Sequence, residues 1–361
     1  MSRPMVICAG GTGGHMVPAH CLALALQARG VPVHLVTDDR GLRFPGLFPQ
    51  VPRDVVQAGS TGRSGWRTVP QVAAAVLRGR AQARALYRRI GPRGVIGFGG
   101  YPSVPGLLGG VAARLPVLLH EQNAVLGRAN RFLGRWARVL ATSWPQVGRI
   151  NAGLAGKVRF VGNPVRPEVL AAAAVPFDAH PARLRLLVTG GSQGAAVLNT
   201  LVPAAVALLP ADVRARLDVV HQGRDEDHAA IAAAYAAAGV TAQIASYFPD
   251  LPSEMAASHL VVARSGASTV AELAVMGRPS ILIPLPIATD DHQAANAAAL
   301  VDAGAAQMLR QGGLDATTLA SALQRWLADP NALAAAAAAA KSAGQPDAAE
   351  RLADLVLEHC P

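Results

Sequence analysis

Three short segments carry residues whose types and spacing suit phosphate chemistry. The first, Gly10-Gly11-Thr12-Gly13-Gly14-His15, follows the apolar run Met5–Ala9 and leads into helix-forming sequence. Unpaired amides at a helix N-terminus cradle an anion, and glycines let the ligand approach the backbone. The second, Gly190-Gly191-Ser192-Gln193-Gly194, repeats this arrangement after Leu184–Thr189 and adds a hydroxyl and an amide as donors. The third, Arg264-Ser265-Gly266-Ala267-Ser268, follows Leu260–Ala263. Its small residues leave N–H groups open for a diphosphate, while Glu272, about one turn further on, can accept hydrogen bonds from a ribose diol. Each segment has a plainer reading. The glycine loops serve equally as tight turns, and Ser268 and Glu272 as a cap and a dipole partner.

His15 adds a proton acceptor to the first loop. At a helix N-terminus the neutral imidazole that a base requires is favoured over the imidazolium. The loop resembles a dinucleotide fingerprint, with Asp38 and Asp39 downstream, but Met16 stands where the third glycine belongs. An oxidoreductase or sugar-nucleotide epimerase reading is therefore weaker than a phosphate-binding loop.

The elements that must position these loops alternate. Short apolar runs at 5–9, 33–37, 94–98, 116–120 and 139–142, and again at 184–189, 217–221, 260–263 and 280–284, are separated by helical stretches. Helices are expected near 18–29 and 195–209. This pattern implies two parallel sheets covered by helices, with ligands at the carboxyl ends of their strands. The joint falls between Gly162-Asn163-Pro164-Val165-Arg166-Pro167 and Pro181. The Ala-rich run 332–340 reads as a solvated helix, and 347–359 as a closing amphipathic one.

Length and composition agree: 361 residues suit two or three domains, and 51% apolar residues exclude a disordered chain. Apolar runs are too short to span a bilayer. The first residues carry no basic start, apolar core or cleavage box, so a cytoplasmic protein is expected, with Cys8, Cys21 and Cys360 as reduced thiols. The net charge of +10 is unevenly divided: residues 1–160 hold 21 basic and 4 acidic residues, net +17, and residues 161–361 hold 12 and 19, net −7. A nucleic-acid partner is not expected, because aromatics are 4% and no recognition motif accompanies the arginines. Asp225-Glu226-Asp227 is a candidate metal motif by spelling, but reads as a solvated helix start.

Taken in order, the His15 loop, His120-Glu121-Gln122-Asn123, Gly162-Asn163-Pro164-Val165-Arg166, Gly190–Gly194, Arg264-Ser265-Gly266-Ala267 and Asp291-His292-Gln293 with Asn296 resemble the MurG family of glycosyltransferases from about residue 5 to 355. The resemblance implies the α/β GT-B fold, two Rossmann-like domains facing an interdomain cleft. Residues 1–163 would form an acceptor and membrane-associating domain, residues 164–345 a UDP-GlcNAc domain, and 346–361 a helix packing back on the first. It implies inverting transfer of GlcNAc from UDP-GlcNAc to the 4-hydroxyl of MurNAc in lipid I, giving lipid II for peptidoglycan synthesis. Another GT-B enzyme acting on a lipid acceptor is the rival, disfavoured by the His120–Asn123 motif.

Carried onto this chain, Arg166, Ser192, Gln193, Ala267 and Ser268 would hold the diphosphate side of the donor. Glu272 would take the ribose, Phe248 border the uracil, Gln293 bond the GlcNAc and Asn296 support that loop. Thr12, Gly13, Gly14, His15, Tyr101 and Asn123 would face the acceptor, with His15 as the leading base and Glu121 either orienting it or acting as base itself. No metal or other cofactor is required. The protein would sit peripherally on the cytoplasmic face of the inner membrane, with anionic lipid and cell-wall synthesis proteins as partners. A helical stripe of Val69, Val72, Val76, Ala83, Leu86 and Ile90, preceded by Trp66 and flanked by Arg80, Arg84 and Arg88, is the candidate lipid surface; a packing helix with snorkelling arginines is the alternative.

Overall fold

The structure is a computed structural model that describes residues 3–44, 46–59, 69–191 and 195–361. Ser192, Gln193 and Trp66 lie outside these residues. The chain forms two compact units, 1–166 with 345–361, and 167–344, so Pro164–Arg166 and Gln345, expected in the second domain, group with the first unit.

Among the described residues the first unit holds seven strands: β1 (Met5–Cys8), β2 (Val33–Thr37), β3 (Arg53–Val55), β4 (Gly94–Gly97), β5 (Val117–Glu121), β6 (Val139–Thr142) and β7 (Val158–Phe160). They run in the order β3-β2-β1-β4-β5-β6-β7, all paired in parallel. Parallel neighbours need crossovers, which put helices on both faces and bury the inner strands twice. On β1, Met5 and Ile7 join a core with the helix α1 (Gly13–Ala28) and the last helix, Ala348–His359. Val6 and Cys8 face the opposite core, with α2 (Val69–Ile90) and α3 (Gly100–Ala112). Arg29 pairs with Glu350 and Asp354, tying the last helix to the end of α1.

Two sequence expectations change here. Helix α1 starts at Gly13, directly after the glycine turn and five residues before Pro18, so the proline lies inside the helix rather than at its start. The stripe on α2 is largely core in its later half. Ala83 and Leu86 are buried against glycine-rich α3, where a Cβ at Gly109 would come within 2.6 Å of Ala83 Cβ. Ala83 and Leu86 therefore cannot present a lipid-facing surface; Leu77 and the arginines 78, 80, 84, 88 and 89 are among the residues that α2 exposes.

The second unit repeats the plan with β8 (Leu184–Thr189), β9 (Leu217–Gln222), β10 (Thr241–Ala245), β11 (Leu260–Ala263), β12 (Ser280–Leu282) and β13 (Ala306–Met308), in the parallel order β10-β9-β8-β11-β12-β13. The Ala-rich helix, Pro330–Ala343, is half-buried rather than solvated: Leu333, Ala336, Ala337 and Ala340 face inward. Left-handed Gly277 (φ +66°) ends the helix Ala267–Met276, and a Cβ there would sit 3.0 Å from Ala337 O. Lys341 donates to Val275 O and Ala173 O.

Buried Arg278 donates to Ala256 O, Gly277 O and Val175 O and lies 5.5 Å from the Phe177 ring, clamping two helix C-termini to the start of this unit. Burial lowers its pKa to about 10, still well above neutrality. His221 is buried between Tyr235 (2.9 Å) and Asn199 (3.2 Å), and burial pushes its pKa down to about 4. It is therefore neutral when folded but binds a proton near pH 6.5 when unfolded. Its share of stability is full above about pH 6.5 and is lost as pH falls towards 4, up to about 3 kcal/mol. Urea titrations of this protein across that window should lose stability more steeply than those of His221→Asn; equal slopes would contradict the burial argument.

Candidate active site

In each sheet the strand order reverses beside its first strand, between β1 and β4 and between β8 and β11, which opens a crevice at the carboxyl ends. In the first unit the loops after β1, β4 and β5 meet there. Thr12, in extended conformation, precedes Gly13 and Gly14 in the first turn of α1, and His15 follows. Gly99 (φ +79°) and Gly100 (φ +69°) start α3, with Tyr101 exposed in its first turn. The two glycines give way to the imidazole: a Cβ at Gly100 would stand 3.1 Å from His15 Nε2, and one at Gly99 3.6 Å from Cε1.

The residues ending β5 sort by strand alternation. His120 and Gln122 share one side, and Glu121 and Asn123 the other. His15 Nδ1 lies 2.9 Å from Gln122 Oε1, Gln122 Nε2 lies 2.9 Å from His120 Nδ1, and His120 Nε2 lies 3.1 Å from Gly162 O. His120 is fully buried, and burial lowers its pKa to about 4, against smaller opposing help from the Gly162 bond.

On the other side, both oxygens of the Glu121 carboxylate are occupied. Oε1 accepts from the backbone N–H and side-chain amide of Asn123, each at 3.1 Å. Oε2 accepts from Gly127 N at 2.8 Å and Asn130 Nδ2 at 2.9 Å. Asn130 belongs to α4 (Arg128–Leu133) and also donates to His120 O. Four donors on a 2%-exposed carboxylate make it the organiser of the 121–130 loop. Asp38 is likewise engaged, by Gly41 N and Arg40, and holds the turn after β2 rather than presenting itself to a ribose.

In the second unit, Gly191 (φ +72°) follows β8, with its N–H bonded to Thr189 Oγ1. After β11, Gly266 precedes the helix Ala267–Met276, which places the amides of Ala267 and Ser268 in its first turn and buries Glu272. Ser265 Oγ and Ser268 Oγ are buried and, among the described residues, have no hydrogen-bond partner. Asn296, fully buried, donates to Ser265 O and braces that loop from the helix His292–Asp302. Gln293, in the first turn of the same helix, accepts from Leu285 N at 2.9 Å. Two consecutive left-handed residues, Asp290 and Asp291, precede the helix, a strained turn of the kind found beside ligands. Arg264 spends its guanidinium on Ile283 O, Pro284 O and Gln311, fixing the loop after β12. Phe248 is buried beside exposed Tyr247. Arg166 is half-buried and belongs to the first unit. Asp225–Asp227 form a short turn in which Arg224 pairs with Glu226 and Asp227, and Asn199 donates to Asp227. Among the described residues, no three His, Cys, Asp or Glu converge as metal ligands.

Two positions beside His15 had no role in the sequence reading: Gln122 and Gly100. Strand alternation two residues after His120 is the signal for the first; the glycine pair Gly99-Gly100 after the apolar run 94–98 marks a turn at the second but not its contact with His15.

The glycosyltransferase family 28 N-terminal domain matches residues 5–142 and the family's C-terminal domain matches residues 185–352. A protein of Methylobacterium nodulans is 53% identical over 99% of this chain and 97% of its own length, and one of Novosphingobium aromaticivorans is 48% identical over 99% and 92%. Both are named UDP-N-acetylglucosamine--N-acetylmuramyl-(pentapeptide) pyrophosphoryl-undecaprenol N-acetylglucosamine transferase. The crystal structure of MurG from Acinetobacter baumannii superposes with a TM-score of 0.81 at 29% identity, covering 99% of both chains. A kitacinnamycin glycosyltransferase, 16% identical, shares the fold at a TM-score of 0.69 over the whole of both chains. Each unit thus carries one half of the GT-B fold, and the chain belongs to the MurG family of N-acetylglucosamine transferases within glycosyltransferase family 28.

Proposed function

We propose that this chain transfers GlcNAc from UDP-GlcNAc to the 4-hydroxyl of MurNAc in lipid I, forming lipid II and UDP. The observation that carries this reading is near-full-length identity of about half to relatives bearing that activity in their names. The acceptor hydroxyl attacks the anomeric carbon of the α-linked donor, the bond from that carbon to the diphosphate oxygen breaks, and a β1,4 bond forms with inversion. His15 takes the hydroxyl proton as general base. Glu121, saturated by four donors, shapes the acceptor loop with Asn123 instead of accepting a proton; Thr12, Gly13, Gly14 and Tyr101 border the acceptor.

Charge developing on the leaving diphosphate is met by Arg166, Ser192, Gln193 and the helix-start amides of Ala267 and Ser268, without an obligatory metal. Glu272 receives the ribose hydroxyls, the Phe248 segment borders the uracil, and Gln293, with Asn296 behind it, contacts the GlcNAc. The enzyme works as a peripheral protein on the cytoplasmic face of the inner membrane. The +17 charge of residues 1–160 favours anionic lipid, and no helix among the described residues is long and apolar enough to cross a bilayer.

Incubation with UDP-GlcNAc and a short-chain lipid I analogue should yield UDP and the disaccharide lipid in equal amounts, with turnover retained in EDTA; absence of transfer would overturn the assignment. Glu272→Ala should raise the donor KM by about 10-fold or more with a smaller change in kcat, and an unchanged donor KM would refute the ribose role. Glu121→Gln places an amide NH2 against two donors in either orientation. Denaturant unfolding should show a loss of about 2 kcal/mol or more, and unaltered stability would refute the organising role.

A further inference from the structure

The bonds linking His15, Gln122, His120 and Gly162 have only one self-consistent direction. Gly162 O can only accept, so His120 Nε2 carries the proton of that bond. His120 is sealed from water and uncharged, so its Nδ1 holds a lone pair and accepts from the Gln122 amide. The Gln122 amide is thereby oriented: reversing it would set Oε1 against that lone pair. Its Oε1 is left for His15, and an amide oxygen can only accept, so His15 Nδ1 carries a proton. When the His15 ring is neutral, its lone pair is on Nε2, beside the space that Gly100 leaves empty.

We propose that Gln122 is a positioning residue for the transfer reaction, locking His15 in the Nδ1–H tautomer so that Nε2 faces the substrate as the proton acceptor. The orientation originates at Gly162, a left-handed residue (φ +93°) four positions before the chain leaves the first unit. A Cβ on Gly162 would lie 2.6 Å from Gln345 Cβ and 2.9 Å from Ala348 Cβ, where the chain returns, so the carbonyl that anchors the chain of bonds is itself fixed by close packing. The role is that of the carboxylate behind a catalytic histidine, performed by a neutral amide whose own direction is set by a second histidine. This inference rests on the reading of His15 as the base.

The test is nitrogen-15 NMR of the full-length protein at a pH where His15 is neutral, with the His15 signals identified by their loss in His15→Ala. The expected result is a protonated Nδ1 and an unprotonated Nε2; a ring protonated at Nε2 overturns the proposal without any variant having to fold. Gln122→Met, similar in size but unable to accept from Nδ1–H, should release the tautomer. It should also lower kcat about 10- to 100-fold, with the UDP-GlcNAc KM changed by less than about 2-fold. Wild-type kcat in Gln122→Met overturns the proposal. Full turnover in His15→Ala would refute the base reading alone, since the tautomer is read independently of activity.

Discussion

A sheet of parallel strands can be wired only by crossovers, so every strand ends, and every following helix begins, on the same edge. The rest of this molecule depends on that constraint. In the first unit it brings the loop after β1, with His15, next to the start of α3 after β4 and the end of β5. In the second it brings the turn after β8 next to the loop 264–268 after β11. Helix-start amides therefore gather where an anion can use them, with no net positive charge needed. The donor site proposed for the acidic half of the chain, net −7, relies on such local amides rather than on net charge.

The same edge is where buried polar groups are tolerated, provided each is satisfied. On β5, consecutive residues do opposite things because alternation turns them to opposite sides. His120 and Gln122 carry a directed chain of hydrogen bonds towards His15, while Glu121 and Asn123 close the 121–130 loop. The full occupancy of Glu121 separates two carboxylate roles that look alike in sequence. A base needs a free lone pair facing substrate; this carboxylate has donors on both oxygens and is 2% exposed. The buried arginines make a parallel point. Arg264 and Arg278 donate to carbonyls and an amide, so they fasten loops and helix ends within their own unit.

Much of this was legible in the sequence, and what was missed follows a physical pattern. Nine apolar runs marked the central strands, because a parallel strand buried on both faces must be continuously apolar. The four strands without such a run, β3, β7, β10 and β13, are the four sheet edges, where one side lies open and residues such as Arg53, Phe160 and Thr241 are exposed. The stripe on α2 was visible but its partner was not: only the fold brings Gly106 and Gly109 of α3 beside it, making its later half core rather than lipid surface. Among site residues, His15 and Glu272 stood out by type and place. Gln122 and Gly100 did not, because their contacts with His15 span 107 and 85 positions along the chain and appear only once β1, β4 and β5 are side by side.

The central claim is that His15, held between α3 and the end of β5, accepts the proton in the bond-forming step. Single-turnover transfer by His15→Ala at saturating UDP-GlcNAc tests it most directly, with donor binding measured on the same sample. The account predicts that the chemical step slows about 10²- to 10⁴-fold while the donor Kd stays within about 2-fold of the unsubstituted enzyme. A chemical step within about 3-fold of the unsubstituted rate would contradict it.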